Sequence, residues 1–275
     1  MLKQRVITAV VLLALLVGAL AWSAVAFEVL ATLVVAAALG EWMQLLGWSR
    51  ARAIAGAIVF GLLLLGIALA WPQTVERALL PASLLATIVW AGLAMLLLQK
   101  DAMTLRLPRS ASTVLAVLMV TAAWVALVHF LFQGVLVLLS VLVIVWLADT
   151  AAYFAGRAFG KRKLAPHISP GKTWAGVAGA VIAVVVVAVV AQRVAPQADL
   201  FSTRLLDGLG PTGAVLLAAI VALSIVGDLF ESLLKRQAGV KDSSHLLPGH
   251  GGVYDRVDAL LPTLPLAALL EWIAR

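Results

Sequence analysis

Residues 174–194 read WAGVAGAVIAVVVVAVVAQRV, a stretch without a charged side chain before Arg193. A helix needs roughly 20 apolar residues to cross the hydrocarbon core of a bilayer. Eight further apolar runs occupy most of the chain, and they fall at about 6–20, 24–39, 53–70, 79–98, 112–130, 135–149, 212–227 and 258–273. We therefore predict an all-α, polytopic integral membrane protein with about nine transmembrane helices.

The composition of the whole chain agrees with this prediction. The 275 residues are 64% hydrophobic and 12% charged, whereas a soluble domain is nearer half apolar and one quarter charged. These values exclude a soluble globular fold and a disordered chain. The period-2 alternation of an outer-membrane barrel is not seen in any run. Cysteine is absent, which excludes a disulfide framework and a thiolate site.

The net charge of +7 could suggest nucleic-acid binding, but the basic residues lie in short loops between apolar runs. With nine spans and the N-terminus inside, most Lys and Arg residues fall on one side, as cytoplasmic loops require. The inner segments hold Lys3, Arg5, Arg50, Arg52, Lys100, Arg106, Arg109, Arg157, Lys161, Arg162, Lys163, Lys172, Lys235, Arg236, Lys241 and Arg256. The outer segments hold Arg77, Arg193, Arg204 and Arg275. We predict a cytoplasmic N-terminus, an outer C-terminus and no nucleic-acid partner.

The chain divides into two parts by polarity. Residues 1–130 predict a scaffold of membrane helices, and residues 131–275 carry nearly all of the polar groups that could do chemistry. The first run resembles a signal peptide, but a second apolar run follows at once, which favours an uncleaved helical hairpin. The nine Trp residues mostly predict anchors at the bilayer interface.

The last inner loop concentrates charge at two helix ends. Asp228 ends one apolar run, and Asp255 and Asp258 open the next, so the returning chain can bring these carboxylates together. Carboxylates without thiols suit a hard cation such as Mg²⁺. The same loop contains His250, Gly251 and Gly252, whose flexible backbone can approach a phosphate closely. It also contains basic side chains that can bind phosphate oxygens, and these are Lys235, Arg236, Lys241 and Arg256. The alternative is a topogenic basic loop with helix-capping aspartates.

A second polar cluster follows the sixth run. Asp149, Tyr153 and Gly156 recur at helical spacing and form one stripe that leaves a span. Ser169, Lys172 and Thr173 precede the next helix, whose N-terminus favours an anion. Gly171-Lys172-Thr173 is not a P-loop, because Pro166 stands where that motif needs glycine and the preceding run predicts a loop, not a strand. A simple helix cap after Pro170 is the alternative.

These residues resemble a known family. Ser232-x-Leu234-Lys235-Arg236, Lys241-Asp242 and Leu247-Pro248-x-His250-Gly251-Gly252-x-x-Asp255-Arg256-x-Asp258 resemble the long signature of bacterial phosphatidate cytidylyltransferases (CDP-diacylglycerol synthases). The Asp149–Gly160 stripe and the Ile168–Thr173 loop are similar to other recurring segments of that family. Ala175 departs from it, since relatives often carry a polar or acidic residue there. The resemblance covers about residues 146–260.

The resemblance implies that CTP and phosphatidate react to give CDP-diacylglycerol and pyrophosphate for phospholipid synthesis. It implies an inner-membrane homodimer among membrane lipids, with Mg²⁺, and a possible second cation such as K⁺, held between Asp228 and Asp255. The catalytic residues would be Asp228, Asp255, Lys235, Arg236, His250, Arg256 and Asp258. The residues that bind substrate or phosphate would be Ser169, Lys172, Thr173, Lys241, Gly251, Gly252, Asp149 and Tyr153.

Two other functions stay open at this stage. A CTP-dependent lipid or polyprenol kinase would share the architecture and the nucleotide but would transfer the γ-phosphoryl group. A membrane transporter would favour an internal repeat and acidic residues at the midplane, and we see neither. A CDP-alcohol phosphotransferase is disfavoured, because Asp207-Gly208 lacks the Ala-Arg and later aspartates of that motif.

The distribution of basic residues yields a test of topology. We expect a C-terminal alkaline phosphatase fusion to be active in the periplasm and a C-terminal green fluorescent protein fusion to stay dark. A truncated fusion after residue 240 should show the reverse pattern. A fluorescent C-terminal fusion would contradict the model of nine spans with a cytoplasmic N-terminus, because an odd number of spans places the two termini on opposite sides.

Overall fold

A computed structural model describes residues 2–99, 102–104 and 106–274, and it is a helical bundle. The α-helices are α1 (Leu2–Trp22), α2 (Ala24–Leu45), α3 (Arg50–Ala70), α4 (Pro72–Leu97), α5 (Arg109–Gln133), α6 (Val135–Phe159), α7 (Trp174–Val194), α8 (Phe201–Leu209), α9 (Pro211–Ala238), α10 (Tyr254–Val257) and α11 (Leu260–Ala274). The last span is broken, because α10 (Tyr254–Val257) precedes α11. Within the described residues, eight segments are long and apolar enough to cross a membrane, and α1 adds the shorter apolar stretch Val6–Trp22. The predicted all-α membrane fold with about nine spans is confirmed.

Two helices continue well beyond their apolar runs. The runs at 135–149 and 212–227 predict helix ends that the structure moves to Phe159 in α6 and Ala238 in α9. Hydropathy marks the length of chain that prefers lipid, whereas backbone hydrogen bonding continues wherever neighbours cover the helix. Each extension is polar on one side, so both helices carry charged side chains out of the bundle and toward the same region.

Two stretches between apolar runs, residues 163–173 and 195–211, were expected to be loops but form regular secondary structure. Residues 163–173 form an antiparallel hairpin, β1 (Lys163–Ala165) with β2 (Ser169–Thr173), so the interpretation of this stretch as a loop was wrong. The outer stretch 195–211 contains α8. Its first residue, Phe201, is buried and donates its N–H to Ser140 Oγ at 2.9 Å. Both segments are too short for a periodic signal, and tertiary contacts stabilise them.

The loops meet in two groups, one at each end of the bundle. At one end, Trp48 Nε1 donates to Thr113 Oγ1 at 3.0 Å, and Thr8 Oγ1 donates to the carbonyl of Pro248 at 2.8 Å. At the other end, Gln192 Nε2 donates to Asp207 Oδ1 at 2.5 Å. The first group joins segments that the basic residues assign to the inner side. The alternation of nine spans therefore agrees with the contacts. Which end of the bundle faces the cytoplasm stays a prediction. So does the position of Arg275 on the outer side, because this residue lies outside the described residues.

The end of the bundle that carries Arg204 is held by an ion-pair cluster. Arg204 contacts Glu271 and lies 2.6 Å from Asp199 Oδ1 through Nε, and His129 Nε2 lies 2.9 Å from Glu271 Oε2. The hydrogen bonds from Arg204 hold the pKa of the exposed Asp199 carboxyl below its usual range. These contacts join α5, α8 and α11, so the last helix is fixed at the end opposite to the polar clusters.

The predicted division at residue 130 does not separate packing units. It falls inside α5, which packs against α2, α4, α6 and α11. Trp42, Trp90 and Trp124 are fully buried, so these three Trp residues belong to the shared core and not to the interface belt. The proposed assignment of scaffold and catalytic parts stays a prediction, but the two parts share one hydrophobic core.

Gly227 in α9 allows a close helix contact that the site needs. A Cβ at this position would meet the carbonyl oxygen of Asp258 and lie 2.9 Å from Pro262 Cγ. We expect Gly227→Ala to destabilise the protein by about 1–3 kcal/mol, because the packed backbone cannot move aside without strain. The midpoint of thermal unfolding in detergent measures this effect.

The matched control is Gly66→Ala in α3, where a Cβ would meet nothing within 4 Å. That variant should unfold at the wild-type temperature or slightly above it, since alanine favours a helix over glycine. Equal unfolding temperatures for the two variants would contradict the close approach of α9 to the break between α10 and α11.

Candidate active site

The end of α6 and the start of α7 form one wall of a cavity. Asp149, Tyr153 and Gly156 line it together, as their helical spacing predicts. The two helices approach closely because Gly176 lacks a side chain: a Cβ there would lie 2.9 Å from the carbonyl oxygen of Ala152. Thr173 Oγ1 accepts the N–H of Gly176 at 3.1 Å. Thr173 therefore caps α7, which begins at Trp174 as expected.

The end of α9 forms the second wall. Asp228, Glu231 and Lys235 follow one another at helical spacing and all line the cavity. Lys235 Nζ lies 2.6 Å from Glu231 Oε2 and 2.7 Å from Asp255 Oδ1. The ammonium group thereby joins α9 to the chain that returns as α10.

The returning loop is folded around the carboxylate of Asp255. Its Oδ2 accepts hydrogen bonds from Ser243 N at 2.9 Å, Ser243 Oγ at 2.8 Å and Gly252 N at 2.7 Å. Gly251 has a φ of 80°, which glycine adopts without strain, and a Cβ there would lie 2.8 Å from Asp255 Oδ2. The two glycines therefore allow the backbone to close on this carboxylate.

The walls enclose a cavity of about 810 Å³ at one end of the bundle. It brings together ten of the predicted site residues, and these are Asp149, Tyr153, Ser169, Lys172, Thr173, Asp228, Lys235, Asp255, Arg256 and Asp258. Four further charged residues that the sequence predictions did not assign to the site also line it: Arg157, Lys163, Glu231 and Asp242. Both polar clusters of the sequence thus belong to one site.

Five predicted residues lie outside the lining of this cavity in the described part of the chain. Lys241, His250 and Gly251 line a neighbouring cavity of about 530 Å³, which shares Asp242 and Arg256 with the larger one. Gly252 contacts Asp255 through its N–H. Arg236 is exposed and donates through Nε to the carbonyl of Ile168 at 3.4 Å, so it contacts the β-hairpin. The roles predicted for these five residues stay predictions.

Three carboxylates lie close enough together to share one cation. One oxygen each from Asp228, Glu231 and Asp258 lies within 4.8 Å of the other two. Glu231 Oε1 is buried and has no hydrogen-bond partner among the described residues, and a buried acceptor without a partner is costly. Lys172 Nζ lies 2.7 Å from Asp228 Oδ2, so the lysine ammonium neutralises part of the negative charge of the three carboxylates. Oxygen ligands of this kind fit a hard divalent ion.

This grouping differs from the predicted metal pair of Asp228 and Asp255. Both oxygens of Asp255 already have hydrogen-bond donors: Oδ1 accepts from Lys235, and Oδ2 accepts from Ser243 and Gly252. Glu231 was missed, although it follows Asp228 by three residues and so shares its helix face. The metal role of Asp255 stays a prediction that an experiment must separate from its role in holding the loop.

Comparisons with known proteins identify the family of this chain. The model of the cytidylyltransferase family matches residues 3–274. A phosphatidate cytidylyltransferase of Pseudomonas aeruginosa is 40% identical over all of this chain and 98% of its own length. Those of Haemophilus influenzae and Bacillus subtilis are 50% and 41% identical to this chain, over 46% and 44% of their own lengths.

A polytopic bundle with a charged cavity at its helix ends is thus the architecture of a membrane-bound nucleotidyltransferase. The chain belongs to the cytidylyltransferase family. The predicted family and class of enzyme are confirmed, and the resemblance read from residues 146–260 extends over the whole chain.

Lys172 offers a direct test of the cavity. Its ammonium is the group nearest to Asp228, and the β-hairpin presents it to the space that a triphosphate would fill. We expect Lys172→Ala to lower kcat/KM for CTP by roughly 10- to 150-fold, which corresponds to a lost charge-assisted hydrogen bond of about 1.5–3 kcal/mol. Steady-state kinetics with varied CTP measures the change.

The control is Lys161→Ala, on the same connection but exposed and outside the described lining of the cavity. That variant should keep wild-type kinetics. If the two variants have the same kcat/KM, Lys172 serves topology alone.

Proposed function

We propose that the cavity transfers the cytidylyl group of CTP to phosphatidate and forms CDP-diacylglycerol and pyrophosphate. The observation that carries the proposal is one cavity, at the ends of membrane helices, in which clustered carboxylates face several basic side chains. A water-soluble nucleotide and a membrane lipid can both reach such a place. The phosphatidate cytidylyltransferases that resemble the chain support the choice of substrates.

The reaction needs positioning more than a protein nucleophile. A phosphate oxygen of phosphatidate attacks the α-phosphorus of CTP, a new P–O bond forms, and the bond from the α-phosphorus to the bridging oxygen breaks. Pyrophosphate leaves with that oxygen. Because both reactants are anions, the site must hold them in line and cancel their charge.

The basic residues of the lining would do this. Lys172, Lys163 and Arg157 extend from the α6–α7 side of the cavity, and Arg256 extends from α10. Their charge can bind the triphosphate and stabilise the pyrophosphate as it leaves. Lys235 has a different part, since two carboxylates already neutralise it; it positions Glu231 and Asp255.

The carboxylates would hold Mg²⁺, since carboxylate oxygens are the ligands that a hard divalent ion prefers. Asp228, Glu231 and Asp258 are the best-placed ligands by the distances between their oxygens. The ion, when bound, supplies charge neutralisation at the phosphate oxygens. We further propose a second cation such as K⁺, a homodimer and a location in the inner membrane, and these rest on the family resemblance. The proposal that the site faces the cytoplasm rests on the distribution of basic residues.

The test uses purified protein in phosphatidate-containing nanodiscs, with Mg²⁺ and CTP labelled at the α-phosphate. We expect label in the lipid fraction and one pyrophosphate for each lipid formed. A kinase would instead release labelled CDP and leave the lipid unlabelled. A transporter would leave CTP and lipid chemically unchanged in the nanodiscs and would carry the labelled CTP into sealed proteoliposomes.

A second experiment separates the roles of Asp228 and Asp255. Asp228→Asn and Asp255→Asn should each lower kcat by at least about 100-fold, and the double variant should lose little more, because residues that act as a unit are not additive. The Mg²⁺ concentration for half-maximal rate should rise in Asp228→Asn. Asp207→Asn, at the opposite end of the bundle, is the control and should keep the wild-type rate.

The Mg²⁺ dependence of Asp255→Asn then decides its role. A raised half-maximal concentration would identify Asp255 as a metal ligand. An unchanged concentration with a low kcat would identify it as the anchor of Lys235 and the loop. Near-normal rates in both variants would remove the two aspartates from the proposed mechanism.

A further inference from the structure

Glu41, near the end of α2, is a buried carboxylate that the proposed reaction does not use. It is 4% exposed and lies outside the described lining of the catalytic cavity. Four donors lie within hydrogen-bond distance of its oxygens, all on residues that follow it by more than 200 positions: Ser243 Oγ at 2.9 Å, Ser244 Oγ at 2.6 Å, Val253 N at 3.0 Å and Tyr254 N at 2.7 Å. The single hydroxyl proton of Ser243 is shared between Glu41 Oε2 and Asp255 Oδ2. The N-terminal half of the chain therefore binds both ends of the loop formed by residues 243–254, which carries the chain from α9 to α10.

The next residue of α2 reinforces this contact. The ring of Trp42 stacks on the ring of Tyr254, with centroids 5.1 Å apart and planes 13° from parallel, and it packs edge-on against Phe230 of α9. Tyr254 is fully buried. Glu41 thus binds the main chain of Tyr254 while Trp42 binds its side chain, and the residue that follows is Asp255.

A short chain of contacts leads from Glu41 to the cavity. Ser243 Oγ lies 2.9 Å from Glu41 Oε2 and 2.8 Å from Asp255 Oδ2, and Asp255 Oδ1 lies 2.7 Å from Lys235 Nζ. A Cβ on Gly252 would overlap both Ser243 Oγ and Glu41 Oε2. Gly252 is therefore explained by the close approach of Glu41 to the loop, a reason distinct from contact with a phosphate.

From these contacts we infer that Glu41 is a positioning residue for the transfer reaction: it fixes Asp255 and, through Asp255, Lys235. The inference rests on the proposed function for its kinetic test only. Each carboxylate oxygen of Glu41 accepts one backbone N–H and lies beside one hydroxyl: Oε1 accepts from Val253 N and lies beside Ser244 Oγ, and Oε2 accepts from Tyr254 N and lies beside Ser243 Oγ. Two acceptor oxygens are required, because each backbone N–H can only donate.

This geometry predicts an unusual order of variants. Glu41→Gln has the same shape, but in either orientation its NH₂ group faces a backbone N–H of Val253 or Tyr254. Glu41→Asp is shorter but keeps two acceptors. We expect kcat to fall by about 10- to 100-fold in Glu41→Gln, the range seen when partners behind a site are removed, and to fall less in Glu41→Asp. The KM for CTP should change by less than about threefold, since no phosphate contact is lost.

The matched control is Glu28→Gln, a change at another buried carboxylate of α2. Glu28 precedes Glu41 by 13 residues, which is roughly 20 Å along the helix, so this variant should keep the wild-type kcat. A residue needed only for filling space would give the opposite order, with Gln better tolerated than Asp. That order, or a wild-type kcat in Glu41→Gln, would overturn the inference.

Hydrogen exchange gives a readout that does not depend on the reaction. The amides of Val253, Tyr254 and Asp255 should exchange at least about tenfold faster in Glu41→Gln than in Glu28→Gln, with equal thermal unfolding midpoints. If the wild-type protein forms no cytidylylated lipid, the proposed function fails while this exchange still tests Glu41. Unchanged exchange in Glu41→Gln would overturn the inference whatever the activity.

Discussion

Lys235 Nζ lies between the carboxylates of Glu231 and Asp255, at 2.6 and 2.7 Å, and the catalytic end of the bundle depends on this bridge. Side chains of all three residues are largely buried, and a buried charge is costly unless it is paired. Without the ammonium, α9 and the returning chain would bring acidic groups together against their mutual repulsion. With it, Asp228 and Asp258 can approach the same space, where Lys172 supplies the second positive charge.

The broken last span serves the same site. The chain enters the bundle as α10, passes through a turn at residues 258 and 259, where Asp258 keeps helical dihedral angles, and continues as α11. A turn between two helix segments of a membrane bundle leaves backbone groups that the surrounding protein must cover. Here α9 covers it, because Gly227 allows the backbone of Asp258 to come close. The break therefore places Asp258 beside Asp228 and Glu231, three groups that come from only two segments of the chain.

The N-terminal half contributes more than a hydrophobic scaffold. Glu41 and Trp42 of α2 hold the loop from Ser243 to Tyr254, and Thr8 of α1 donates to Pro248 in the same loop. A glycine-rich loop on its own would sample many conformations. The helices of the first half reduce that freedom, so the cavity has a defined wall on the side of α10.

The sequence by itself determined the fold class, the number of spans, the grouping of loops at two ends and ten of the residues that line the cavity. These follow from hydropathy, from the bias of basic residues and from the helical spacing of Asp149, Tyr153 and Gly156, which are all local patterns. Only the tertiary structure decided that Glu231 joins Asp228 and Asp258, that Asp255 binds Lys235 and the loop, and that Glu41 belongs to the support of the site. A carboxylate carries no sign of its partner in the sequence, because contacts between distant segments choose the partner, and those of Glu41 lie more than 200 residues away.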